Sequence, residues 1–224
     1  MVESTSTNIP IVLALGKLGE GKSTVGNMLA GSPGGYLVED ERPSGCTQGF
    51  DSLIFGQDFV YYDSPGLNDC AYEEKYVKGW LKRLEESPLA GKKVALCLYV
   101  IRNLPRYDKW YDWNLRATMR IIEGLGAENV AVVVTHCDEG TVTRDRVWLG
   151  IEKIFNRNEI SKGKMAKNRM YLFKGHETDS GHFKAWIEDM LPPNSTGKVS
   201  ENPTAHSNEL HGEAEDLKLI KAML

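Results

Sequence analysis

The sequence predicts one α/β domain in which short buried strands alternate with amphipathic helices. Continuous apolar runs at residues 94–101 and 130–134 are typical of parallel strands that are covered on both faces. Between such runs, apolar residues recur with a helical period, as in residues 73–87 and 144–158. The chain has 224 residues, 41% of them hydrophobic, which is enough for one core of this kind and a short appendage.

A glycine-rich loop follows the first predicted strand, residues 10–15, and precedes a predicted helix that includes residues 25–30. It matches the pattern G-x-x-x-x-G-K-[ST] at every fixed position. The matching residues and the threonine after them are Gly16, Lys17, Leu18, Gly19, Glu20, Gly21, Lys22, Ser23 and Thr24. In such a loop, backbone N–H groups and the helix N-terminus surround a phosphate. We expect Lys22 to reach the β- and γ-phosphates of a nucleotide, and the Ser23 hydroxyl to bind Mg²⁺.

The next stretch, residues 36–49, has the composition of a turn-rich loop and little apolar periodicity. A loop that senses the bound nucleotide would lie here. Thr47 is the candidate for a hydroxyl that closes over Mg²⁺ and the γ-phosphate, and it would then contribute to catalysis. Ser44 is the alternative, and an ordinary surface loop is an equally good interpretation.

A predicted hairpin of two strands, residues 50–55 and 59–63, ends in Asp63-Ser64-Pro65-Gly66. An aspartate at the carboxyl end of a strand faces the crevice in which α/β folds bind ligands. We expect Asp63 to hold Mg²⁺ through water. Gly66 is suited to donate its backbone N–H to the γ-phosphate, because no side chain stands in the way.

The strand at residues 130–134 runs into Thr135-His136-Cys137-Asp138, which is similar to the guanine-reading pattern [NT]-K-x-D. Asp138 would accept hydrogen bonds from the N1–H and the exocyclic amine of guanine. Adenine offers neither donor, so the carboxylate would discriminate against it. His136 stands at the lysine position, where its ring can lie on the base, and Thr135 retains a hydroxyl that can structure the loop.

The last predicted elements are a strand at residues 170–173 and a helix at residues 181–191. Lys174 and Gly175 lie between them, where a loop would pass over the base. The predicted domain therefore spans residues 1–191. A flexible linker at 192–212 and a short amphipathic helix at 213–224 follow it.

The composition of the chain limits the cellular location and the classes of partner that we expect. The net charge of −4 gives no reason to expect nucleic acid as a partner. The four cysteines are widely spaced and form no C-x-x-C, which favours reduced thiols in the cytoplasm. No apolar run approaches the ~18 residues that a membrane span needs, and no lipidation motif is evident. We expect a cytoplasmic protein that reaches a membrane only through partners.

Together, Gly16–Ser23, Asp63–Gly66 and Thr135–Asp138 resemble the motifs of the AIG/GIMAP (immunity-associated nucleotide-binding) GTPases, relatives of septins and chloroplast-import GTPases. Leu67-Asn68-Asp69 and Pro105-Arg106-Tyr107 add to the resemblance, which covers roughly residues 9–191. The second tripeptide corresponds to a G-R-[FY] box of the family, with proline in place of its glycine. The resemblance implies a Ras-like P-loop GTPase fold with six strands, one of them antiparallel, and helices on both faces.

The resemblance also implies a function. Members of the family bind GTP and GDP with Mg²⁺, and several form homodimers through the nucleotide face, where an arginine is offered to the partner's nucleotide. That arginine would be Arg106. Residues 67–69 contain no glutamine to orient water, so we expect slow hydrolysis and a switch function, with an effector or a membrane-associated protein as partner. Two alternatives stay open: a GTP-gated assembly module with incidental hydrolysis, and a P-loop kinase or ATPase, which Asp138 disfavours.

Overall fold

The computed structural model describes residues 9–31, 49–67, 73–103, 109–127, 129–137, 143–157, 167–175 and 179–192. Its strands are β1 (Ile11–Leu15), β2 (Asp51–Phe55), β3 (Phe59–Asp63), β4 (Leu96–Arg102), β5 (Asn129–Thr135) and β6 (Met170–Leu172). Its α-helices are α1 (Lys22–Leu29), α2 (Glu73–Glu85), α3 (Lys109–Gly124), α4 (Arg144–Arg157) and α5 (Ser180–Met190). A short 3₁₀ helix, Lys167–Arg169, precedes β6 and was not predicted from the sequence.

The six strands form one sheet in the order β2-β3-β1-β4-β5-β6. Only β2 and β3 pair antiparallel, and the other neighbours are parallel. The hairpin between β2 and β3 turns at Gly56, whose φ of 59° is in the left-handed region that favours glycine. The predicted sheet of six strands with one antiparallel member is confirmed.

Two hydrophobic layers cover the sheet, because successive side chains of a strand point to opposite faces. On one face, Leu13 of β1 belongs to a cluster with Trp80 of α2. On the other, the neighbouring Val12 belongs to a cluster with Val25 of α1 and Phe183 of α5. Helices therefore lie on both faces of the sheet, as predicted. None of the helices in the described part of the chain is long and apolar enough to cross a membrane.

The parallel strands β1, β3, β4, β5 and β6 all end at the same edge of the sheet. The candidate site residues in the described part of the chain lie at the ends of these strands or in the segments that follow them, so the fold collects these residues along one edge. The predicted linker and the predicted C-terminal helix lie outside the described residues, apart from Pro192.

Candidate functional site

The glycine-rich loop leaves the end of β1 in close contact with the neighbouring strand. A Cβ at Gly16 would lie 2.3 Å from the carbonyl oxygen of Val100 in β4, so only glycine fits there. The segment after β3 runs beside the loop: the Leu67 N–H donates to the Gly16 carbonyl (3.0 Å), and the Leu18 N–H donates to the Leu67 carbonyl (3.4 Å). The loop is therefore fixed to the strands on both sides of β1.

Two further glycines let the loop turn into helix α1. Gly19 and Gly21 have φ values of 77° and 86°, which L side chains rarely adopt. A Cβ at Gly21 would also approach Thr135 Cγ2 to 3.2 Å. Gly21 is the N-cap of α1, so the N–H groups of the first helical turn face the loop.

Lys22 is the first residue of α1 and folds back over the loop. Its side chain is buried, and its Nζ donates a hydrogen bond to the Lys17 carbonyl (3.1 Å). The buried Tyr61 hydroxyl donates to the Lys22 carbonyl (2.7 Å) and fixes the start of the helix to β3. The ammonium group therefore lies at the mouth of the loop, where it can bind an anion held by the loop.

Ser23 and Asp63 come together from two different elements. The Ser23 Oγ donates to Asp63 Oδ2 at 2.6 Å, joining the first turn of α1 to the carboxyl end of β3. Asp63 is fully buried. A hydroxyl and a carboxylate are hard oxygen ligands of the kind Mg²⁺ prefers, so this pair fits the predicted metal site.

Gly66 packs directly on the glycine-rich loop. A Cβ at this position would lie 2.8 Å from the Leu18 Cα and 3.0 Å from its N, so a side chain would push the two backbones apart. The Gly66 backbone is thus held beside the glycine-rich loop.

Glu20 belongs to the glycine-rich loop, but its side chain points into the protein and is only 7% exposed. Its carboxylate accepts a hydrogen bond from the Arg102 N–H at the end of β4. Its carbonyl accepts one from the Thr135 Oγ1 at 2.8 Å. Burial raises the pKa of Glu20 from 4.5 to about 7, opposed by the Arg102 N–H and by nearby cationic side chains. The sequence of the loop gives no signal for this contact, because the partners of Glu20 come from β4 and β5.

Thr135 and His136 occupy the end of β5. The Thr135 hydroxyl structures the glycine-rich loop through Glu20, and its oxygen lies 3.0 Å from His136 Nδ1. His136 is exposed and has a φ of 54°, which is uncommon for a residue with a side chain. The Asn103 N–H, just beyond β4, donates to the Thr135 carbonyl (2.9 Å). The ends of β4 and β5 therefore form one hydrogen-bonded unit with the loop.

Lys174 and Gly175 follow β6 at the same edge of the sheet. The Phe173 N–H donates to the Val134 carbonyl (2.8 Å), which continues the pairing of β6 with β5. Gly175 has a φ of 52°, so the chain turns sharply there. The pair thus leaves the sheet beside the strand that ends in Thr135.

Three predicted site residues, Thr47, Arg106 and Asp138, lie outside the described residues, as does the alternative Ser44. Thr24 is described, one residue after Ser23 in α1. The structure therefore brings together the candidates from the glycine-rich loop, from the end of β3 and from the ends of β5 and β6.

Comparison with known proteins identifies the fold. No protein-family model matches the sequence, and no curated protein matches it significantly. Solved structures do match. Toc33 from Arabidopsis thaliana in complex with GDP and Mg²⁺ superposes with a TM-score of 0.61 at 19% identity, over 84% of this chain and 86% of that chain.

A second Toc33 structure is of an arginine-to-alanine mutant described as dimerization deficient, with a TM-score of 0.60, 18% identity, and 82% and 84% of the two chains covered. Era in complex with MgGDPNP and a fragment of 16S ribosomal RNA gives 0.57 at 14% identity, over 93% of this chain and 61% of that one. These similarities show that the chain has the Ras-like P-loop GTPase α/β fold.

Proposed function

We propose that this chain binds GTP and GDP together with Mg²⁺ and hydrolyses GTP slowly to GDP and phosphate. The observation that carries the proposal is the joint placement of Lys22 over the glycine-rich loop and of Ser23 against Asp63, 2.6 Å apart. The similar folds of Toc33 with GDP and Mg²⁺, and of Era with MgGDPNP, support it.

Each candidate residue of the phosphate and metal site has a part in this reaction. The N–H groups of the loop and the Lys22 ammonium neutralise the phosphates and the charge that develops when water attacks the γ-phosphorus and GDP leaves. Ser23 and Asp63 would hold Mg²⁺, which supplies further charge neutralisation at the phosphate oxygens. Gly66 would donate its N–H to the γ-phosphate, and Thr47 would close over it.

Slow turnover follows from what the segment after Gly66 offers. Leu67, Asn68 and Asp69 include no glutamine to orient the attacking water. Leu67 is fully buried and bonded to the loop, so its side chain does not reach the site. An arginine that contacts the γ-phosphate raises the rate of GTP hydrolysis by a factor of about 10³–10⁵, so its presence would determine the turnover rate.

Guanine selectivity belongs to the segment that begins at Thr135. Asp138 would accept the two guanine donors, and His136, exposed beside Thr135, would lie on the base. Lys174 and Gly175 would close over it from the end of β6. An ATPase or an ATP-dependent kinase binds adenine, which lacks these two donors, and would not need an acid at this position after β5.

Regulation is proposed to act through a homodimer in which Arg106 of each copy approaches the other's nucleotide. Arg106 comes three residues after Asn103, which is bonded to Thr135 at the site edge. The Toc33 mutant described as dimerization deficient gives this idea a precedent in a similar fold. AIG/GIMAP membership and a switch function are part of the same proposal.

We further propose a cytoplasmic protein whose partners are an effector or a membrane-associated protein, and not nucleic acid. The net charge of −4 supports the exclusion of nucleic acid. Era was solved with an RNA fragment, but that complex concerns Era.

The proposal is tested by GTP turnover per subunit as the protein concentration is raised, with Mg²⁺ in excess. We expect turnover that climbs with concentration, a flat and low curve for Arg106→Ala, and wild-type behaviour for Arg116→Ala, an exposed arginine of α3. Slow turnover independent of concentration would contradict the dimer and leave a monomeric switch. Dimerisation with GTP but without turnover would favour the assembly module, and failure to bind GTP would refute the proposal.

A further inference from the structure

The glycine-rich loop carries an acid on its inner side, directly behind the proposed phosphate site. Glu20 lies between Gly19 and Gly21 and is only 7% exposed. A carboxylate that is buried beside an anion-binding loop opposes the binding of phosphate, because both groups are negative and water does not separate them well. The position therefore needs an explanation beyond the loop motif.

The sheet provides a structural reason for this acid. The pairing of β1 with β4 stops at Leu15 and Tyr99, but β4 continues to Arg102. The Glu20 carboxylate accepts the Arg102 N–H on this extension of β4. Its own carbonyl accepts the Thr135 hydroxyl at 2.8 Å. One residue of the loop is thus tied to the ends of both β4 and β5.

One of the cationic groups near Glu20 is Lys22, which the proposed phosphates would also contact. Lys17, Lys22 and Arg102 all favour its charged form, and the Lys22 Nζ lies on the loop, bonded to the Lys17 carbonyl. Burial outweighs them and raises the pKa of Glu20 to about 7. Near neutral pH the carboxyl group is therefore divided between its charged and neutral forms.

Other titratable groups lie close to this part of the site among the described residues. The Tyr61 hydroxyl is bonded to the carbonyl of the first residue of α1, and burial raises its pKa well above its ordinary value, so it does not titrate near neutral pH. Asp63 is bonded to Ser23 on the far side of the loop from β4. His136 has its Nδ1 3.0 Å from the Thr135 Oγ1 that bonds the loop. A histidine also changes charge between about pH 5 and 8, so His136 is the competing source of any pH dependence.

We propose that Glu20 is a positioning residue that couples nucleotide binding to proton uptake: when phosphates enter the loop, the Glu20 carboxylate takes up one proton from solvent. The phosphates add negative charge and draw on the charge of Lys22, so the neutral acid becomes the favoured form. The C=O oxygen of the neutral carboxyl group still accepts the Arg102 N–H, and the loop stays tied to β4. This inference rests on the proposed binding of nucleotides to the loop.

The affinity for GDP should then fall as pH rises from about 7 to about 8.5, by at most about tenfold per pH unit for one proton. Glu20→Gln is the matched variant, because its amide oxygen keeps the acceptor for Arg102 while the charge is removed. We expect the variant to bind GDP several-fold more tightly than the wild type at the upper end of this range. Its affinity should change little with pH.

Calorimetry of GDP binding with Mg²⁺, in buffers of different ionisation enthalpy, measures the protons directly. We expect a net uptake of between zero and one proton per bound GDP by the wild type and none by Glu20→Gln. The uptake per bound GDP should persist in His136→Gln, even though that variant should bind GDP more weakly. An infrared difference spectrum of the wild type upon GDP addition should show a new protonated-carboxyl band. That band tests the inference even where Glu20→Gln does not fold.

The outcomes separate the two proposals. GDP binding without proton uptake and without a new carboxyl band would overturn the role of Glu20 and leave the proposed function intact. Uptake that survives in Glu20→Gln and is lost in His136→Gln would overturn it in favour of the histidine. Failure of GDP to bind at any pH would overturn the proposed function itself.

Discussion

Removing the charge of Glu20 should stabilise the nucleotide-free protein, and only at neutral to alkaline pH. Glu20→Gln keeps the size of the side chain and an oxygen that accepts the Arg102 N–H. The variant therefore changes one thing in the folded state, the cost of an ionised carboxylate that is 7% exposed.

The magnitude follows from the pKa of Glu20, which burial raises from 4.5 to about 7. The folded state binds the proton more tightly than the unfolded state, so this proton contributes to folding stability. The contribution is fully present at pH values below the pKa of the unfolded state, and it is lost as pH rises through the pKa of the folded state. A rise of about 2.5 pKa units, at about 1.4 kcal/mol each, corresponds to a loss of roughly 3.5 kcal/mol of folding stability at alkaline pH. The wild type should bear this cost and Glu20→Gln should not.

Urea unfolding at about pH 5 and about pH 8.5 measures the difference. We expect the stability advantage of Glu20→Gln over the wild type to grow by about 2–3 kcal/mol between the two pH values. Glu86→Gln, an exposed glutamate after α2, should show almost no growth. An advantage of Glu20→Gln that is equal at the two pH values would refute the reasoning, because it would mean that Glu20 is not held neutral by the fold.

Three other substitutions test the geometry of the site. Gly16→Ala places a methyl group 2.3 Å from the Val100 carbonyl oxygen, so a loss of about 1–3 kcal/mol or more in urea unfolding is expected. The control Gly79→Ala, in open space on α2, should be neutral or stabilising by up to about 1 kcal/mol. Ser23→Ala should weaken the Mg²⁺ dependence of GDP binding about tenfold or more, measured by titrating Mg²⁺ at fixed GDP. Asp63→Asn should do the same, and GDP binding that keeps its full Mg²⁺ dependence in both variants would contradict the assigned metal site.

The sequence was sufficient to predict the fold because its signals are local. The hairpin strands β2 and β3 agree with the predicted residues 50–55 and 59–63 within one residue, since a short turn of three residues, 56–58, which begins with glycine, joins them. Strand β4 was predicted at residues 94–101 and is observed at Leu96–Arg102. Its limits depend on pairing with β1 and β5, which an apolar run does not encode.

The contacts of the site were predictable where a sequence motif specifies the residue that binds the ligand. They were not predictable where the partner of a side chain comes from a strand that is distant in sequence. Ser23 and Asp63 were each assigned to Mg²⁺ from their motifs, and the parallel ends of the strands bring them to 2.6 Å. Glu20 was predicted only as one of the residues of the nucleotide-binding loop, with no role for its side chain. Its burial depends on β4 extending past β1, so that the Arg102 N–H needs an acceptor. Nothing local to the loop could reveal that.

The central claim is that the loop and the strand ends form a guanine-nucleotide site, and equilibrium binding of GDP and ADP with Mg²⁺ tests it most directly. The account predicts saturable binding of GDP, at least about a hundredfold weaker binding of ADP, and loss of both in Lys22→Ala. Asp138→Ala should reduce the preference for GDP without abolishing binding. Equal affinity for the two nucleotides, or GDP binding that survives Lys22→Ala unchanged, would contradict the account.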